Sequence, residues 1–276
     1  MLTKNIFILV FVVFIVVVLA IVFLNNKSIN NITNQSNHSI LSNTSIHVLT
    51  FTQQRWSGLG LSPNGNIRIL MINGTFTVPS CYKNDSSTIT NQGVSTWLGI
   101  GGNGATLFQA GVICSINKNR SVYMPFYEVL NTTAQHINPA TPLNEFITIN
   151  QGDIVNMQLK LLNKTSNLWR LTLHDFTTQK TLYINFTNFS TNRLGNNVEW
   201  IAESLESNNS TFLSPFSPIT FSNMRFEACG ASCVNYSFEQ ATQNNIYAVD
   251  EYVINQTGVK TEISYFSGDR FIINYK

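Results

Sequence analysis

The sequence predicts an all-β protein, a two-sheet antiparallel sandwich, behind an N-terminal membrane-spanning helix. Three observations carry this expectation. Apolar runs of four to eight residues recur about every 10 residues after His47, separated by Gly, Asn and Pro breaks, as sandwich strands do. No segment after the first 24 residues keeps an amphipathic helical period. The N-terminal segment itself is apolar throughout.

Lys4 precedes an unbroken run of nineteen apolar residues, Ile6 to Leu24. At ~1.5 Å rise per residue such a run spans about 28 Å, one hydrocarbon core. It is longer than a signal-peptide core of roughly 7–15 residues, and Asn25-Asn26-Lys27-Ser28 offers no small-residue cleavage site. Residues 1–24 therefore read as an uncleaved signal anchor, with a cleaved signal and a secreted product as the alternative. Residues 25–50 are rich in Asn, Ser, Thr and Ile and nearly free of charge, and read as a stalk or a removed prosegment. Residues 51–276 remain for one large sandwich domain.

Within that domain the expected strands begin with Ile67–Ile72 and Gly74–Val78, the latter ended by Pro79. Val94–Ile100 and Thr106–Cys114 flank Gly101-Gly102-Asn103-Gly104, a turn rich in residues that accept positive φ. Tyr123–Leu130, Phe146–Ile149 and Ile154–Leu162 follow, the last two around an Asn150-Gln151-Gly152-Asp153 turn. Leu168–His174, Thr181–Phe186, Val198–Ala202, Ile219–Phe226, Ile246–Val253, Thr261–Phe266 and Phe271–Tyr275 complete the series.

Dense Asn-x-Ser/Thr sequons, among them Asn73, Asn163, Asn185 and Asn235, favour an extracellular, glycosylated surface, although an Asn- and Ser-rich chain also makes sequons by chance. The four cysteines suit the same compartment and suggest two disulfides, for which three pairings exist. Cys229 and Cys233 are close enough to close a small loop, which leaves Cys81 with Cys114. No His stands at ligand spacing beside them, so no metal site is expected. Charged residues make up 11% of the chain, with net charge +2 and no basic cluster or basic-aromatic stripe, which excludes a nucleic-acid binder. A surface so poor in carboxylates changes little in acid and suits an acidic exterior.

Two polar side chains interrupt otherwise apolar strands: Gln109 in Phe108-Gln109-Ala110-Gly111 and Glu199 in Asn197-Val198-Glu199-Trp200-Ile201. Burying a carboxylate without a partner is costly, so the pair points to a cleft. A carboxylate can take a proton from water and return it to a leaving amine. A carboxamide cannot titrate, but its NH2 can donate to an oxyanion. Together they suffice for peptide hydrolysis in acid, with Trp97 and Trp200 as apolar walls. The plain alternatives are a Gln109 that satisfies backbone groups, and a Glu199 paired with Arg193 or Lys160. Glu203 reads as a support for the site. The four histidines show no spacing that suggests a site.

The segments also stand in a telling order. Arg55-Trp56-Ser57-Gly58, Gly74-Thr75-Phe76-Thr77-Val78-Pro79, Trp97-Leu98-Gly99-Ile100 and Phe108-Gln109-Ala110-Gly111 come first. Phe126-Tyr127-Glu128, Gln151-Gly152-Asp153-Ile154, Asn197-Val198-Glu199-Trp200-Ile201-Ala202-Glu203, Ile219-Thr220-Phe221-Ser222-Asn223 and Asp269-Arg270-Phe271-Ile272-Ile273 follow. This order resembles the glutamic peptidase family, also called eqolisins. The resemblance implies a concanavalin-like, jelly-roll double sheet and an acid-active endopeptidase. It further implies Gln109 and Glu199 as catalytic residues, with Trp56, Trp97, Tyr127, Glu128 and Trp200 beside the substrate. The sequence departs from the family at Gly101, where an Asp is usual, in a shorter loop before Gln109, and at Val129-Leu130, where aromatics are usual. These departures keep alive a non-catalytic sandwich that binds carbohydrate or protein. A structural surface-layer component is a third reading with no specific feature behind it. The leading expectation is a membrane-anchored, monomeric peptidase with its domain outside the cell. It acts on peptides or proteins and needs no cofactor or metal.

Overall fold

The computed structural model describes residues 48–53, 55–63, 67–83, 92–101, 106–130, 136–187, 196–207, 210–243, 247–256, 259–265 and 268–276. All belong to the unit Gln35–Lys276. The expected anchor, residues 1–24, lies outside the described residues, as does the stretch read as stalk up to residue 47. Among the described residues no helix is long and apolar enough to cross a membrane.

Seventeen strands and one short helix are described. They are β1 Val48–Gln53, β2 Trp56–Pro63, β3 Arg68–Thr77, β4 Gly93–Ile100, β5 Leu107–Asn117, β6 Arg120–Leu130, β7 His136–Pro142, β8 Ile154–Asn163 and β9 Leu168–Asp175. β10 Lys180–Phe186, β11 Val198–Ser207, β12 Ser210–Phe212, β13 Ile219–Cys229, β14 Cys233–Ser237, α1 Phe238–Gln243, β15 Tyr247–Gln256, β16 Val259–Tyr265 and β17 Phe271–Tyr275 follow. The pairings make two sheets. The first runs β7-β6-β5-β4-β11-β2-β15-β1, antiparallel except for the last pair. The second runs β10-β9-β8-β3-β13, with β14 and β17 sharing the far edge of β13 and β16 beyond β17. The all-β sandwich read from the sequence is the architecture found.

Side-chain alternation sets the layers. Val94, Leu98 and Ile100 of β4, Phe108, Ala110, Val112 and Cys114 of β5, and Val198, Trp200 and Ala202 of β11 enter the core between the sheets. There they meet Ile72 and Phe76 of β3, Leu159 of β8, Leu171 of β9 and Phe221 and Phe226 of β13. A second, smaller cluster of Trp97, Leu107, Phe126, Ile201 and Tyr252 covers the other face of the first sheet. β4 is consequently buried at every residue. Neither of its faces meets water, and Ser95 and Thr96 are buried along with its apolar residues.

Three expectations change. Phe146–Ile149 is no strand: Phe146 and Ile147 donate backbone hydrogen bonds to Leu143 O in a turn that tucks Ile147 and Ile149 into the core. β3 runs unbroken through Asn73, and the irregularity sits in its partner β13, where Asn223 has φ +51°. β1, β2, β7, β12 and β14 are additional strands, and β1 starts at Val48, inside the stretch read as stalk. β2 hides its alternation, because Gly58 and Gly60 stand where polar residues would mark the outer face. β7 carries Pro139 and Pro142, tolerated on an edge strand. Helix α1 is too short to show a period. A capping box starts it: Gln240 N donates to Ser237 Oγ, and Ser237 N to Gln240 Oε1.

The two disulfides are Cys81–Cys114 and Cys229–Cys233, the pairing that the short loop suggested. The one group of candidate metal ligands among the described residues, Glu227, Cys229 and Cys233, has both sulfurs engaged in that second disulfide.

Gly101, the departure noted in the sequence, ends β4 with φ +113°, and its N–H donates to Asn197 O. A Cβ there would lie 1.9 Å from Thr106 O. Gly101→Ala is therefore expected to lower stability by more than ~1 kcal/mol. Urea unfolding should show the midpoint falling with an unchanged slope; an unchanged midpoint would contradict this backbone reading.

Candidate active site

Register across the first sheet lines up one row of residues. Glu128 of β6 faces Gln109 of β5, Gln109 faces Gly99 of β4, and Gly99 faces Glu199 of β11. Glu199 faces Gly60 of β2, and Gly60 faces Asp250 of β15. Directly opposed residues share a face, so the row lies on the face turned away from the second sheet. Glu199 stands at its middle with a glycine on each side. Two strand spacings, about 9–10 Å between Cα atoms, separate it from Gln109 and from Asp250. The missing Cβ atoms open the space into which these side chains reach. Leu107 and Trp97 wall the space above Gly99, and Tyr252 lies over Gly60.

The row is almost fully shut from solvent: Gln109 is 3% exposed, Glu199 1%, Asp250 5% and Glu128 8%. Gln109 Nε2 donates to Glu128 Oε2 at 2.6 Å. The amide is assigned with its NH2 toward Glu128, because a carboxylate oxygen accepts and would repel the amide oxygen. This orientation leaves Gln109 Oε1, and both carboxylate oxygens of Glu199, buried with no hydrogen-bond partner among the described residues. Of the two pairings weighed for Glu199, Lys160 instead pairs with Glu227 at 3.7 Å, and Arg193 lies outside the described residues. Burial pushes the Glu199 carboxyl well above its usual 4.5, and the nearby Asp250 and Glu203 carboxyls push the same way.

The next rows hold the aromatic walls. Trp97 faces Ile201, Ile201 faces Gly58, Gly58 faces Tyr252, and Tyr252 faces Phe51. Trp56 packs edge-on against Trp97 and Tyr252, with centroids 5.3 and 5.9 Å apart. Glu203, one row further, ties them down. It accepts from Trp97 Nε1 at 2.9 Å and pairs with Arg55 at 2.8 Å. Burial raises its carboxyl; Arg55 and the hydrogen bonds from Trp56 and Trp97 oppose that rise, and Glu128 adds to it. Glu203 is the support that the sequence suggested.

Gln109, Glu199, Glu128, Trp97 and Trp56 therefore share one face. Trp200 and Tyr127 do not, and this corrects their expected place beside the substrate. Each is the immediate neighbour of a row residue, and alternation turns it to the opposite face. Trp200 spans the core, donating from Nε1 to Asn73 O at 3.1 Å, and Gly74 leaves room for its ring. Tyr127 packs its ring on Phe186, centroids 4.6 Å apart. Sequence reasoning missed Asp250, Ser62, Tyr252 and Gly60. A signal for Asp250 was present, since Tyr247-Ala-Val-Asp-Glu-Tyr-Val-Ile254 sets carboxylates in an apolar strand as Glu199 is set.

The model of the Peptidase A4 family matches residues 54–275, a span that contains the whole row. The chain belongs to this family. Like other A4 peptidases, the eqolisins, it is a glutamic endopeptidase. Its fold is similar to that of scytalido-glutamic peptidase in complex with a peptide-based transition-state analogue, with TM-score 0.60 and 21% identity over 82% of this chain and 100% of that one. SCP-B, an eqolisin solved with the tripeptide Ala-Ile-His, matches with TM-score 0.57 and 18% identity over the same shares. Aspergilloglutamic peptidase from Aspergillus niger matches with TM-score 0.51 and 26% identity over 67% of this chain and 99% of that one. No curated protein sequence matches the chain.

The buried carboxyl links the site to stability. A carboxyl whose folded-state pKa is raised contributes stability below its unfolded-state pKa, and that contribution is lost as pH rises through the folded-state value. Glu199→Gln, which removes the charge and keeps the shape, should stabilise the fold at pH 7 by about 1–3 kcal/mol and by much less at pH 3. Melting temperatures at the two pH values test this; an equal change at both would show that Glu199 does not titrate in the fold.

Proposed function

We propose that this A4 peptidase cleaves peptide bonds in the acid range with Glu199 as base and acid and Gln109 as oxyanion donor. The observation that carries the reading is the pair of buried acceptors, Glu199 carboxylate and Gln109 Oε1, left without protein partners on either side of Gly99. A water between them can donate one hydrogen to each. Glu199 takes a proton from that water as its oxygen bonds to the scissile carbonyl carbon. The carbonyl oxygen becomes an oxyanion and accepts from the second Nε2 hydrogen of Gln109, the first being held by Glu128. Glu199 then hands its proton to the amide nitrogen, the C–N bond breaks, and an acid and an amine leave. A raised carboxyl is a stronger base than an ordinary glutamate, and burial strengthens the interactions at the oxyanion.

The row is closed, so a peptide reaches Glu199 only when a covering side chain such as Tyr252 swings aside. Trp56, Trp97 and Phe126 then present apolar surface beside the scissile bond. The non-catalytic alternative rested on Gly101, and that glycine has a backbone reason. Export rests on the apolar segment, the sequons and the two disulfides, which suit an oxidising compartment. Carbonate extraction of membranes should retain the full chain and release one lacking residues 1–24; release of both would remove the anchor.

With an unfolded protein as substrate, Glu199→Gln and Gln109→Ala should each lower kcat/KM by 10²-fold or more. The acid limb of the wild-type profile should lie above the ordinary glutamate range, because Glu199 must lose its proton to act. Activity should persist with a strong chelator. Full activity of folded Glu199→Gln would sink the mechanism.

A further inference from the structure

The half of the row beyond Gly60 has no part in the mechanism above, and it repeats the design of the first half. Asp250 stands across Gly60 from Glu199 as Gln109 stands across Gly99. Glu199 and Tyr252 border the space over Gly60 that separates the two carboxyls: the point where a Gly60 Cβ would sit is 3.6 Å from Glu199 Cγ and 3.5 Å from Tyr252 Oη. Asp250 accepts from Ser62 Oγ at 2.5 Å, and it forms no ion pair among the described residues. The other groups facing Glu199 are accounted for. Glu203, on its own strand, is paired with Arg55; Glu128 of β6 stands beyond Gln109; Tyr252 of β15 is a neutral phenol, held well above its usual range by burial and the two carboxyls. β2 and β4 turn Gly60, Trp56, Gly99 and Trp97 to this face.

We propose that Asp250, held by Ser62, is a positioning residue whose carboxylate, across Gly60 from Glu199, opposes ionisation of Glu199 and so sets the pH at which the base becomes available. Two carboxyls in one dry space do not both ionise readily. The Ser62 hydrogen bond favours the ionised form of Asp250, so Glu199 keeps its own proton and loses it only at higher pH. The inference rests on the reading of Glu199 as the base.

The test uses the full chain and four forms: wild type, Asp250→Asn, Glu199→Gln and the double variant, with Ser62→Ala as a second probe of Asp250. In pH profiles of kcat/KM, Asp250→Asn should move the acid limb down by about one pH unit, so that it cleaves up to about tenfold faster than wild type on that limb. Ser62→Ala should move the limb the same way by less. A purely structural Asp250 would lower activity at every pH and leave the limb in place, and that result would overturn the proposal. Melting temperatures give a readout independent of activity. At pH 7 the gains from Glu199→Gln and Asp250→Asn should be less than additive, since either removes the same repulsion, and they should add at pH 3. Additive gains at pH 7 would overturn the coupling of the two carboxyls. A fully active Glu199→Gln would instead overturn the choice of base, so the two failures are distinguishable.

Discussion

The structure turns on one buried carboxylate. Glu199 lies at the centre of an eight-stranded sheet, covered on both faces, with neither oxygen hydrogen-bonded to another of the described residues. Such a group costs stability, and the surrounding fold has to offset it. It does so with a continuous core: Trp200, one residue on, fills the space between the sheets and bonds to the backbone of β3. Adjacent residues of β11 thus face opposite ways, Trp200 anchoring the strand in the core and Glu199 standing in the row on the other face.

Glycine gives that carboxylate room. Gly99 and Gly60 flank it in register, and a side chain at either would meet Leu107 and Trp97 on one side or Tyr252 and Glu199 itself on the other. The amide of Gln109 is oriented by Glu128, and the indoles by Glu203 with Arg55. The carboxylates with partners, Glu128 and Glu203, hold the side chains around Glu199 in place. Because Glu199, Glu203 and Asp250 all have raised pKa values, the folded state is favoured in acid relative to neutral pH. The burial that favours the fold in acid also sets the lower pH limit of the proposed chemistry, since Glu199 must ionise to act.

Much of this was legible in the sequence. The strands from Val94 to Cys114 and from Ile154 to Phe186 carry strong alternation or continuous apolar runs, and a carboxylate or amide inside such a run pointed directly to Glu199 and Gln109. What escaped was geometry that adjacency in sequence conceals. Trp200 and Tyr127 neighbour the row residues and for that reason face away from them. β2 looked like a loop because its outer positions are glycines, the feature that makes room for Glu199. Asp250 joins the row only through the pairing of β15 with β2, a contact between residues nearly two hundred positions apart, which no local pattern encodes.

The central claim, that Glu199 acts on a water and forms no bond to the substrate, is tested most directly by a single turnover of the full chain in ¹⁸O-water with enzyme in excess. The account predicts one ¹⁸O in the newly formed carboxylate of the product, none in the enzyme, and no product with Glu199→Gln. Unlabelled product with ¹⁸O left on Glu199 would show that the carboxylate itself attacked the peptide, and would contradict it.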